Sequence, residues 1–171
     1  ETDLAEPLGR AIAARGCHIL TGGGGGVMAC VAGAFARAPR SGSVIAVVPG
    51  VPAGDAGWEG RETSPAAFAA APTVAPPGYP HAPAEIVIRT HLPTSGAAGE
   101  GAMSRNHVNV LSSDVVVALP GGPGTLSELR LARAYGRPAV AFLGETGTVA
   151  GLRTEGELGA HVAVTLAECL A

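Results

Sequence analysis

The chain contains no lysine: all eleven basic residues are arginine. A Walker A phosphate loop needs its Lys, so that mode of nucleotide binding is excluded. A pyridoxal-phosphate or other Schiff-base mechanism through a protein Lys is excluded for the same reason. Aromatic residues make up only 4% of the 171 positions, which leaves few platforms on which bases could stack. Charged residues make up 15%, and the formal net charge is -3, so binding to nucleic acid through a basic surface is disfavoured. No apolar run reaches the roughly 18 residues of a membrane-spanning helix, and no signal peptide is visible.

Cysteine is also scarce. Cys17, Cys30 and Cys169 are scattered, form no C-x-x-C and give no disulfide framework. Cys17 and Cys30 read as small buried hydrophobes, and a reducing, cytoplasmic setting fits. The five histidines form no H-E-x-x-H and no zinc set, so no metal site is expected. His107 lies near a motif described below, and His18, His81, His91 and His161 stand alone. No G-x-S-x-G turn occurs, which argues against a serine hydrolase.

What remains is a chain that is 47% hydrophobic and rich in glycine. Its length suits a single domain spanning 1–171. Strand and helix patterns alternate, the mark of an α/β fold: a Rossmann-like open parallel sheet with helices on both faces. A helix is expected over Asp3–Arg15 with Asp3 as its N-cap, then a strand at Cys17–Leu20 and a helix over Val27–Ala38. Further strands are expected at Ser43–Val48, Glu85–Arg89, Asp114–Leu119, Pro138–Leu143 and His161–Val164. Helices are expected over Ala102–Leu111 and Thr125–Tyr135, and Thr165 reads as the cap of a last short helix. The chain opens on Glu1 without Met, and its first element is a helix. The usual first strand of a doubly wound sheet is therefore either absent or dispensed with. Residues 51–83 hold seven of the 14 prolines with little periodicity and read as a long surface excursion. Within it, Trp58 and Tyr79 could equally cover a base or pack the loop.

Two glycine-rich turns follow apolar strands and open helices. The first is Gly22-Gly23-Gly24-Gly25-Gly26; the second is Pro120-Gly121-Gly122-Pro123-Gly124. In that context backbone N–H groups and the positive end of a helix dipole can hold a phosphate. The expected anion ligands are Gly23, Gly24 and Gly25 in one turn and Gly121, Gly122, Gly124 and Thr125 in the other. A tight turn alone would need fewer glycines, although Thr125 could also be a plain helix cap. The dinucleotide pattern G-x-G-x-x-G fails at Val27, and Val48-Pro49-Gly50 supplies no acid for a ribose, so NAD is disfavoured.

Pro120 to Glu128 fits P-G-G-x-G-T-x-x-E at all six of its fixed positions. In this the chain resembles the LOG ("lonely guy") family, once labelled lysine decarboxylase-like. Gly22 to Met28 is similar to that family's G-G-G-x-G-V-M turn, and Met103-Ser104-Arg105-Asn106 sits where the family carries an Arg. The resemblance runs from about residue 4 to 143. It implies a nucleotide-binding protein that hydrolyses a nucleoside 5′-monophosphate to free base and ribose 5-phosphate, with no cofactor. It also implies a homodimer. Arg105 and Glu128 would be the catalytic pair, with Met103 and Asn106 beside the ligand; Asn109 could touch it or be solvated. A sister group, the molybdenum-cofactor carriers, shares the fold and binds a phosphorylated pterin without turnover. The Arg105–Asn106 pair resembles the carrier branch and uncharacterised branches, whereas Pro120-Gly121-Gly122 resembles the enzymes. Glu128 would bind the ribose hydroxyls or activate water, and its carboxylate would stabilise an oxocarbenium-like state. Its plainer reading is a first-turn Glu favoured by the helix dipole, worth about 0.3–1 kcal/mol.

Overall fold

The computed structural model describes residues 2–52 and 73–171. Trp58 and most of the proline-rich excursion lie outside the described residues. The excursion's two ends are joined: β3 (Val51–Pro52) pairs antiparallel with β4 (Thr73–Val74). The other strands are β1 (Ile19–Thr21), β2 (Val44–Val48), β5 (Ile86–Arg89), β6 (Val116–Ala118), β7 (Ala139–Phe142) and β8 (His161–Ala163). The helices are α1 (Thr2–Ala14), α2 (Val27–Arg37), α3 (Asn106–Leu111), α4 (Pro123–Ala134), α5 (Glu155–Leu158) and α6 (Leu166–Cys169).

The architecture is α/β with parallel sheets. β1, β2 and β5 form one three-stranded sheet in the order β1-β2-β5; β6, β7 and β8 form another in the order β6-β7-β8. The expected sheet is thus present in two halves, because no backbone ladder joins β1 to β6 among the described residues. One core nevertheless spans both halves. Ile19 and Val44 of the first share a buried cluster with Leu119, Phe142 and Ala163 of the second, beneath Ala5, Leu8 and Ala13 of α1 and Phe35 of α2. Successive residues of a strand point to opposite faces. Val117 and Val140 accordingly pack on the α1/α2 side. Ala118 and Ala141 instead meet Leu126 and Leu129 of α4 and Leu158 of α5. Both faces of the β6-β7-β8 half are thus covered, as a parallel sheet requires.

Local signals set most boundaries. Thr154 and Thr165 each accept the N3 backbone N–H while the N3 glutamate reaches back, so α5 and α6 both begin in capping boxes. Other expectations shift. α1 starts at Thr2, which puts Asp3 inside the first turn rather than at the cap. α3 starts at Asn106, not Ala102, because Ser104 Oγ accepts the Asn106 N–H and the preceding residues form turns. Cys17 and Cys30 are exposed, contrary to expectation. Cys17 sits in the exposed turn before β1, and Cys30 lies off the buried Val31–Phe35 face of α2.

α1 and α2 pack at close range across Gly9. A Cβ there would lie 2.9 Å from Ala34 Cβ and 2.9 Å from Phe35 N, and would run into the Val31 carbonyl. Backbone cannot yield as a side-chain tip can. Gly9→Val is therefore expected to destabilise the protein by about 2 kcal/mol, in the range of overpacked cores. Urea unfolding would show a lower midpoint with an unchanged slope.

Candidate functional site

The two glycine turns lie at the C-terminal ends of β1 and β6, where open α/β sheets bind ligands. The first leads into α2 through Gly26, whose φ of 64° places it in the left-handed region. Gly25 and Gly26 are open to solvent, and a side chain at either would meet nothing. Gly22, Gly23 and Gly24 are buried.

The second turn caps α4 differently from expectation. The N-cap is Gly122, and Pro123 occupies the first helical position. Thr125 is the third helical residue and caps nothing. Its hydroxyl instead lies over Gly121, where a Cβ would stand 2.5 Å from Thr125 Oγ1. Pro123 has no N–H, so the backbone donors at this helix end are those of Gly122, Gly124 and Thr125. Glu128 lies in the second turn, and no acidic residue occupies the first. The dipole explanation fades beyond the first turn, so it does not account for this carboxylate.

Arg105 joins the two turns. It lies just before α3 and is only 4% exposed. Its guanidinium packs directly on Gly22, in the space a Cβ would fill. Its Nη1 donates to Asn106 Oδ1 at 2.7 Å and to Glu128 Oε1 at 3.4 Å. The first bond is short and the second lies at the limit, so Asn106 is the tighter partner. Asn106 is fixed in turn: its Nδ2 donates to Ser127 Oγ at 2.9 Å, and Ser127 donates to the Gly124 carbonyl at 2.7 Å. Asn109, one turn along α3, is buried rather than solvated and donates to Glu128 Oε1 at 3.2 Å. Both hydrogen bonds to Glu128 fall on Oε1, which leaves Oε2 without a donor among the described residues. The Glu128 side chain is 28% exposed. Two buried polar atoms of this cluster have no partner among the described residues, Arg105 Nε and Asn109 Oδ1.

Of the expected site residues, the structure brings Arg105, Asn106 and Glu128 into one network, with Gly22 pressed against it and Ser127 and Asn109 added. Gly121, Gly122, Gly124 and Thr125 lead into the same helix as Glu128. Met103 stands two residues before Arg105 and accepts the Thr94 N–H through its carbonyl. Gly23 and Gly24 face the Tyr79 ring, so Tyr79 packs the first turn. His107 is held between the Tyr135 hydroxyl (2.6 Å) and the Gly101 carbonyl (3.0 Å), linking α3 to the end of α4. Sequence reasoning missed Thr21 and His81, which are hydrogen-bonded to each other beneath the first turn at 2.7 Å. The separation of 60 residues in sequence hid that pair.

An open hollow of about 560 Å³ borders Gly121 and Gly122 and runs along Asp3, Leu4 and residues 143–148. Its lining contains neither Arg105 nor Glu128. Among the described residues no three His, Cys, Asp or Glu side chains cluster as metal ligands would. No helix among them is long and apolar enough to cross a membrane.

The model of the SLOG cluster4 family matches residues 1–165. The chain belongs to the SLOG cluster4 family. The LOG-like resemblance carried by Pro120–Glu128 therefore holds over nearly the whole chain. No curated protein matches it by sequence. Two solved structures share its fold. One is the molybdenum cofactor binding protein from the phototrophic bacterium Rippkaea orientalis, at 24% identity and a TM-score of 0.63, covering 99% of this chain and 83% of that one. The other is TM1055, a structural genomics target, at 23% identity and a TM-score of 0.62, covering 99% of this chain and 84% of that one. At such identity the likeness concerns the fold.

Proposed function

We propose that this SLOG protein binds a nucleoside 5′-monophosphate and hydrolyses its N-glycosidic bond. One observation carries the reading: the Glu128 carboxylate is held through Oε1 by Asn109 and Arg105, while Oε2 is left for chemistry. The free N–H groups of Gly124 and Thr125 at the start of α4 take the 5′-phosphate. Glu128, farther along the same helix, then lies beside the ribose. The C1′–N bond breaks with its electron pair leaving on the base, and the sugar passes through an oxocarbenium-like state that a carboxylate stabilises. Water adds its oxygen to C1′. Oε2 accepts the proton that water loses and returns it to the departing base, which regenerates the carboxylate. The products are free base and ribose 5-phosphate. The family resemblance also leads us to propose a homodimer.

The runner-up is a non-catalytic carrier of a phosphorylated pterin such as the molybdenum cofactor. It is favoured by the Rippkaea neighbour and by Asn106 following Arg105. It uses the same turns without turnover.

Ribose 5-phosphate, the expected product, provides the binding test. Titrated into ¹⁵N-labelled protein, it is expected to shift the amides of Gly122, Gly124 and Thr125 together with the side-chain amide of Asn109. Shifts confined to Gly22–Gly26 would place the phosphate at the other turn and overturn the assignment.

A further inference from the structure

The first glycine turn is held from below by a segment far along the chain. His81 is 6% exposed, and its Nε2 meets Thr21 Oγ1 at 2.7 Å. The same Thr21 oxygen accepts the Gly23 N–H at 3.2 Å. The His81 backbone N–H closes the circuit on the Gly23 carbonyl at 2.7 Å. Both polar groups of the Gly23 backbone are thereby tied to one Thr–His unit. Gly23 has φ +76°, and a Cβ there would meet Val48 Cγ1 at 2.6 Å, so only glycine fits at this position. Tyr79 packs against Gly23 and Gly24 from the same segment. Residues 79–81 thus form a strap under the turn whose neighbouring residue, Gly22, carries the Arg105 guanidinium.

We propose that His81 is a positioning residue for the ligand site: through Thr21 it sets the Gly22–Gly24 backbone and hence the seat of Arg105. The proposal rests on the reading that Arg105 and Glu128 serve a phosphorylated ligand. Burial pushes the His81 imidazole below its ordinary value, so the side chain works as a neutral hydrogen-bonding partner. Its Nδ1 has no partner among the described residues, so the Thr21 hydroxyl is the ring's one hydrogen-bond partner among them. A histidine retained only as core filling would have no need of the Thr21 oxygen.

The test uses the full chain, ¹⁵N-labelled, with three variants: His81→Ala, His81→Gln and Thr21→Val. Loss of one buried hydrogen bond corresponds to about a tenfold change in a local equilibrium. His81→Ala is expected to speed Gly23 amide exchange by about that factor and to weaken ribose 5-phosphate binding by a similar one. The Gln variant, whose amide reaches the position of Nε2, restores both. Thr21→Val, which removes only the hydroxyl, reproduces the alanine effect and serves if His81→Ala does not fold. Unchanged Gly23 exchange in both His81→Ala and Thr21→Val would overturn the proposal. So would faster exchange with full ligand affinity, which would reduce the strap to packing. Should the unaltered protein bind no ribose 5-phosphate, the functional reading fails, and with it the ligand-site role of His81; the exchange measurement still decides whether the strap holds Gly23.

Discussion

Glu128→Gln is expected to lower turnover by about a thousandfold while leaving ribose 5-phosphate affinity within a few-fold of the unaltered protein. The two carboxylate oxygens of Glu128 have separate roles. Gln keeps an oxygen that accepts from Asn109 Nδ2 at the position of Oε1, so the network around Arg105 and Asn106 is preserved. What is lost is the negative charge at Oε2, which in the proposed reaction stabilises the cationic sugar and accepts the water proton. An effect on the transition state without one on binding appears as a fall in kcat with KM nearly unchanged. Single-turnover rates with AMP would measure it. Glu128→Gln turning over at the original rate would remove this carboxylate from the chemistry.

Arg105→Lys is expected to weaken ribose 5-phosphate binding by about tenfold to a hundredfold, although it conserves charge. Arg105 occupies its place by shape. A planar guanidinium lies flat on Gly22 and also reaches Asn106 and Glu128. An ammonium is a compact point charge and cannot span those contacts. With Arg105 only 4% exposed, the lysine has no route to solvent without disturbing the turn. Losses are therefore expected in affinity and in turnover together, unlike the Glu128 variant. The Arg105–Glu128 contact adds little to stability, because at 3.4 Å it is long and the carboxylate is partly solvated. Calorimetric titration of the two variants side by side separates the roles. Equal affinity in Arg105→Lys and the unaltered protein would show that charge alone suffices.

Periodicity in the sequence placed every parallel strand and most helices, because each is a short-range pattern of apolar spacing bounded by Gly, Pro or a capping Thr. The motif at Pro120–Glu128 located the second turn, its helix and Glu128. The errors share a cause. Thr125 resembled a cap because it precedes an apolar helix face, but Pro123 can open a helix two residues sooner. Residue type alone predicts Cys17 and Cys30 buried, whereas burial depends on which face meets the core. The burial of Arg105 on Gly22 and the Thr21–His81 pair were invisible because they join segments far apart in sequence. In hindsight Gly22 held one clue: five consecutive glycines exceed what a turn needs, and one of them is there to admit a guanidinium.

The central claim is that the site cleaves an N-glycosidic bond, and a product assay tests it most directly. The protein would be incubated with AMP, GMP, CMP, UMP and a cytokinin riboside monophosphate, and the mixtures separated by chromatography. Free base and ribose 5-phosphate are expected in equal amounts from at least one nucleotide, with release lost in Glu128→Gln. Intact nucleotides throughout, from folded protein that still binds ribose 5-phosphate, would contradict hydrolysis and leave a carrier of a phosphorylated pterin.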